Sequence, residues 1–212
     1  MKKILPLFLT FALLTFIKFP VYAYNEVQDN QDLNDKTVMT IYDDEGNAYA
    51  IPRTEIEENN ITSRRYLTND NCKTYIAAVP RALFGESKDK EGPDDSYCAH
   101  VYLRVYYTVD SSYSPSAYRI NSASGWYNIT DSNITRYSAD LNFFYSGIST
   151  STGRSAEGHR TIENIPSTFN YTSGFSDFVS PVTGYVDLNG ASVTIDFSMG
   201  TRNFTGELRV NI

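Results

Sequence analysis

The sequence predicts an all-β protein, an antiparallel β-sandwich of about seven or more strands, with a β-barrel as the alternative. Three observations carry this reading. Apolar residues recur with a period of two through at least seven short segments, turn residues separate those segments, and no stretch shows a long 3.6-residue apolar stripe. A sheet with one apolar face must bury that face, and a second stacked layer is the most direct cover.

The N-terminal residues read as an export signal. Lys2 and Lys3 are followed by an almost wholly apolar run from Ile4 to Phe19, and Val21-Tyr22-Ala23 matches the small-residue pattern that signal peptidases cut. Residues 1–23 are therefore expected to be removed, leaving 189 residues that start at Tyr24. No later stretch reaches the roughly 18 consecutive apolar residues of a membrane-spanning helix. The expectation is a secreted, extracellular protein without a transmembrane anchor, and the short leader has a bacterial style.

Loss of Lys2, Lys3 and Lys18 with the leader leaves 15 basic residues against 25 acidic ones, a formal charge of −10. Nucleic acid is an unsuitable partner for such a chain, because phosphate backbones are bound by clustered lysine and arginine, and none cluster here. Ten of the acidic residues fall between Asn25 and Asn60. Residues 24–36 lack periodicity and offer only Val27 and Leu33 as bulky aliphatic side chains, so they read as an acidic flexible arm. Residues 37–212 then form a single β domain. The tracts Asp29 to Asp32 and Asp43 to Asn47 carry oxygen ligands but miss the spacing of a calcium loop, so no metal and no cofactor is assigned.

Strands follow in order. Val38 to Tyr42 and Ala48 to Ile51 flank a turn at Asp43 to Asn47, and Pro52 is expected to end the second strand. Lys73 to Val79 and Ala99 to Val109 are two further strands, the second with Ala99, Val101, Leu103, Val105, Tyr107 and Val109 on one face and His100, Tyr102, Arg104, Tyr106 and Thr108 on the other. A short helical turn is expected over 79–85, where Pro80 suits a first position and Gly85 an end. Tyr137 to Tyr145 alternates in the same way. The C-terminal third predicts a three-strand meander: Val182 to Leu188, a two-residue Asn189-Gly190 turn of the kind that needs positive φ, Ala191 to Met199, a second turn at Gly200 to Asn203, and Phe204 to Ile212.

Cys72 and Cys98 are the only cysteines, and an even count in an exported chain predicts a disulfide. Closing that loop would stabilise the fold by about 3.5 kcal/mol. The pairing carries a topological condition. If the strands that begin just after Cys72 and just after Cys98 formed a simple hairpin, the two cysteines would stand at opposite ends, about 23 Å apart and far beyond disulfide reach.

No motif names a reaction. His100 and His159 are the only histidines, and the Gly-x-Ser-x-Gly elbow that would expose a nucleophile near His159 is missing. Asp110, Asp140, Asp187 and Asp196 fall on predicted strands, where carboxylates commonly face solvent. The aromatic content is more informative: 17 tyrosines, 12 phenylalanines and one tryptophan exceed the needs of one core. Tyr113, Tyr118, Trp126 and Tyr127 alternate with serine, asparagine and glycine, the mixture of rigid rings and adaptable polar groups used by contact surfaces, and they are the candidate binding residues. Five Asn-x-Thr triplets begin at Asn60, Asn128, Asn133, Asn170 and Asn203, a number that this composition produces by chance. The reading is a secreted, tyrosine-rich, non-enzymatic interaction protein whose partner is an extracellular glycan, a cell-wall component or a protein. The alternatives are a membrane-acting β-structured toxin-like protein, drawn from the Ser/Thr-rich stretch Tyr107 to Gly153, and a carboxylate-dependent secreted hydrolase.

Overall fold

The computed structural model describes residues 38–55, 71–80, 97–182 and 189–212. The expected leader at 1–23 and acidic arm at 24–36 lie outside them. The described chain is all strand and turn: β1 (Val38–Asp43), β2 (Ala48–Glu55), β3 (Asn71–Pro80), β4 (Tyr97–Asp110), β5 (Ala117–Ile129), β6 (Ile134–Ser149), β7 (Ser155–Ile162), β8 (Thr168–Thr172), β9 (Val179–Ser180), β10 (Gly190–Met199) and β11 (Arg202–Asn211).

Every pairing is antiparallel, in the order β10-β11-β1-β2-β3-β4-β5-β9-β6-β7, with β8 on β5 and β10 also on β6. The sheet curls so that β3 and β4 pack face to face against β11, and β4 also against β10. This is the predicted β-sandwich rather than a closed barrel. In the ladder the long strands β5 and β6 are linked through the two-residue β9, which meets β5 at Tyr118↔Val179 and β6 at Ile148↔Ser180 and Ser149↔Val179.

Period-two alternation explains the core. Val101, Leu103 and Val105 of β4, Tyr75, Ala77 and Val79 of β3, Leu141 and Phe143 of β6, Val193 and Ile195 of β10, and Leu208 and Val210 of β11 are all buried in one cluster. Their sequence neighbours face outward, since successive strand side chains point to opposite sides. No helix among the described residues is long and apolar enough to cross a membrane.

The turn after β1 is organised by its acid. The Asp43 carboxylate accepts hydrogen bonds from Glu45 N–H (3.1 Å), Asn47 N–H (2.8 Å), Asn47 Nδ2 (3.0 Å) and the Tyr49 hydroxyl (3.0 Å), and pairs with Arg202 at 3.3 Å. Burial opposes its charge. The hydrogen bonds from Asn47, Tyr49 and Glu45 outweigh that penalty and hold its pKa at about 2. Gly46, with φ 85°, closes the turn. The carboxylate that sequence reading weighed as a calcium ligand thus serves the turn itself.

Four local expectations change, the first being that β2 does not end at Pro52 but continues to Glu55, where it pairs with β3. The predicted disulfide does not form, because β3 and β4 are the simple hairpin pair whose geometry forbids it: Cys72 lies opposite Tyr106, whereas Cys98 adjoins the Val79↔Ala99 pair at the other end. The two cysteines are not joined; Cys98 is buried and its Sγ donates to the Val79 carbonyl at 3.3 Å, while Cys72 is exposed. The helical turn expected over 79–85 starts instead as strand, because Val79 and Pro80 extend β3; residues 81–96 lie outside the described chain. In the C-terminal region β10 and β11 pair as expected, from Gly190↔Asn211 to Met199↔Arg202. The other edge of β10 is taken by β6, and residues 183–188 lie outside the described chain. Gly190 has no left-handed φ; it is glycine because a Cβ there would fall 2.0 Å from the Val210 carbonyl oxygen.

Candidate functional site

The outward face of β3, β4, β5 and β8 gathers aromatic and polar side chains into cross-strand rows. One row runs Ile76–Tyr102–Trp126–Thr168, the next Thr74–Arg104–Ser124–Asn170, and a third Cys72–Tyr106–Ser122–Thr172. The alternation that buries Leu103, Val105, Ala123 and Phe169 sends these residues the other way.

Trp126 and Tyr102 form the centre. Their rings are stacked, 5.7 Å between centroids and 4° from parallel, and Trp126 retains 36% of its surface exposed. Such a pair contributes about 0.5–1.5 kcal/mol beyond area burial, which stiffens both rings where they meet solvent. Gly125, beside Trp126, permits the close approach of β4: a Cβ there would lie 2.2 Å from the Tyr102 carbonyl oxygen.

Arg104 sits one step along the same face. Its Nη2 donates to the Tyr102 hydroxyl at 2.5 Å, its Nη1 to the Tyr106 hydroxyl at 3.3 Å and its Nε to Thr74 Oγ1 at 3.2 Å. The guanidinium carbon lies 5.6 Å from the Tyr102 ring centre and 5.9 Å from that of Tyr106, within cation–π range. Thr74, though on the outward face, is only 2% exposed. Burial raises the Tyr102 hydroxyl pKa, an effect that neighbouring Tyr106 and Cys72 reinforce and the Thr74 hydroxyl opposes. At neutral pH the phenol therefore keeps its proton and can donate as well as accept. Tyr97, 37% exposed, lies beyond with its ring 5.7 Å from that of His100, and Asn128 stands opposite His100 on β5.

Of the four sequence-predicted binding residues, Trp126 alone belongs to this face. Tyr127, its neighbour, necessarily points inward: it is buried, donates to the Ile165 carbonyl at 3.1 Å and accepts from Arg136. Tyr118 lies eight residues, roughly 26 Å, down β5 from Trp126, with its ring tilted on Tyr107 at 6.2 Å. Tyr113 is exposed in the turn between β4 and β5. Sequence reading placed Tyr102, Arg104 and Tyr106 on one face of a strand but did not join them to Trp126, since that requires the β4–β5 register.

The carboxylate candidates are engaged locally. Asp110 accepts from Ser112 N–H (3.0 Å) and Oγ (2.6 Å), hydrogen bonds that lower its pKa. Asp140 accepts from Asn164 N–H, and Asp196 from Ser138 and Thr205; Asp187 lies outside the described residues. Ser155, Glu157 and His159 are exposed along β7. Chemically, the outward face of β4 and β5 can stack flat apolar ring faces and offer hydroxyl, amide and guanidinium hydrogen bonds around them. Comparison of the chain with known protein families, with characterised proteins and with solved structures gives no match.

Proposed function

We propose that this is a secreted, non-enzymatic binding protein that holds an extracellular glycan on the outward face of β3, β4, β5 and β8. The leader-like residues 1–23 support export. The observation that carries the binding role is the Tyr102–Trp126 stack, two rings held parallel on a solvated sheet face beside Arg104. Core packing does not require it, because the interior is already filled from the opposite side of the same strands. Sugars present flat C–H faces edged with hydroxyls, and aromatic rings with Arg, Ser, Asn and Thr around them match that pattern.

Trp126 is the only tryptophan, so its fluorescence reports on this face alone. Titration with a panel of soluble glycans is expected to shift or quench that emission for at least one sugar class, and Tyr102→Ala is expected to weaken the same response. A panel that leaves the emission unchanged counts against the role.

A further inference from the structure

The planar groups of this face lie in a row along one strand rather than around a hollow. Tyr97, His100, Tyr102, Arg104 and Tyr106 follow one another along the outward side of β4, with Trp126 flanking Tyr102. Successive members are closely spaced: the Tyr97 and His100 rings are 5.7 Å apart, and the Arg104 guanidinium spans Tyr102 and Tyr106 at 5.6 and 5.9 Å. At strand rise the row from Tyr97 to Tyr106 covers roughly 30 Å. A single sugar or a chain end would use only a fraction of it.

Charge follows the same line. Among the described residues, the outward positions of β4 from Tyr97 to Tyr106, and the residues paired with them on β3, β5 and β8, include no aspartate or glutamate. The outward side of β6, β10 and β11 carries Asp140, Asp196 and Glu207. In an acidic chain, the row along β4 leaves an anionic polysaccharide free of carboxylate neighbours and presents a neutral one with ring faces and hydrogen-bonding groups alone.

Resting on the reading of this face as a glycan-binding surface, we infer that its ligand is the interior of a linear polysaccharide, laid along β4 with several sugar units in contact at once. Trp126 and Tyr102 then form the central contact, and Tyr97 and Tyr106 are end contacts that only a longer chain reaches. Each stacked ring contributes about two- to tenfold in affinity, so binding grows with chain length until the row is filled.

The test is calorimetric titration of the full chain with linear oligomers of one to six units, in two series, N-acetylglucosamine and galacturonate. Affinity is expected to rise at least about tenfold between two and six units in one series. Tyr97→Ala and Tyr106→Ala are expected to weaken six-unit binding more than two-unit binding and so flatten that rise, and Trp126→Ala to weaken every length. Equal affinity for two and six units, with Trp126 still required, overturns the linear-chain inference and leaves the binding role standing. No binding in either series overturns the linear-chain inference, and the wider glycan panel then decides the binding role by itself.

Discussion

Tyr102 and Trp126 stand directly opposite each other on β4 and β5, with rings 4° from parallel and centroids 5.7 Å apart. The pairing of two solvated rings, each fixed by the other, distinguishes this face from a sheet surface merely tiled with tyrosine. Trp126→Ala is expected to cost about 1 kcal/mol or less in stability, the scale of one exposed aromatic pair, while removing most glycan affinity. Chemical denaturation alongside calorimetry separates the two effects; a loss of several kcal/mol would assign Trp126 to the fold instead.

The β3–β4 register keeps Cys72 and Cys98 at opposite ends of the hairpin. Reductant is therefore expected to leave the melting temperature unchanged, and two thiols should titrate after unfolding in denaturant. The cysteines differ in weight. Cys98→Ser places a hydroxyl in a buried site and is expected to cost about 1–3 kcal/mol, whereas Cys72→Ser on the surface should stay within about 0.5 kcal/mol.

Asp43 sets an acid limit. Its folded pKa of about 2 lies below the ordinary 3.8, so its stabilising contribution is present in full above pH 5 and is lost as pH falls through 3.8 toward 2. The shift corresponds to at most about 2 kcal/mol. Asp43→Asn is expected to lose a comparable amount at pH 7 and to flatten the stability profile between pH 5 and 2, as read by urea denaturation across that range. An unchanged profile would remove Asp43 from the pH dependence.

Much of the fold was legible in the residues because a two-residue period states which side of each strand is apolar. Alternation puts Val101, Leu103 and Val105 on one side of a strand, where they are core, and Tyr102, Arg104 and Tyr106 on the other, where they are half-buried on the outward face. The site was legible only in part. Joining Trp126 to Tyr102 depends on the β4–β5 register, a non-local quantity to which the bulge at Tyr106/Tyr107 contributes. The cluster Tyr113, Tyr118, Trp126 and Tyr127 rested on nearness in sequence, which a strand disperses: neighbours point to opposite faces, and eight residues span most of the sheet. The disulfide failed for a related reason. Cysteine count speaks to compartment, whereas reach is decided by which strands pair, and the hairpin that excludes the bridge is the one that formed. At Asn189-Gly190 a turn signal was read where Gly190 is needed for its missing side chain against Val210.

Gly125 ties the core to the outward face of β4 and β5. A methyl group there would meet the Tyr102 carbonyl oxygen at 2.2 Å and the Phe169 ring at 2.5 Å, so β4, β5 and β8 would have to separate. Gly125→Ala is expected to destabilise the protein by about 2 kcal/mol and to weaken glycan binding although it touches no ligand. Thermal melts and the length-series titration read both effects.

Binding of the full chain to a broad immobilised glycan array, compared with the Tyr102→Ala/Trp126→Ala double variant, puts the role of the β4–β5 face to the most direct test. Retention of specific glycans by the parent chain, with loss of those same signals in a variant that still melts cooperatively, is the predicted result. Identical array profiles for the two proteins, or an array on which the parent chain binds nothing, would contradict it.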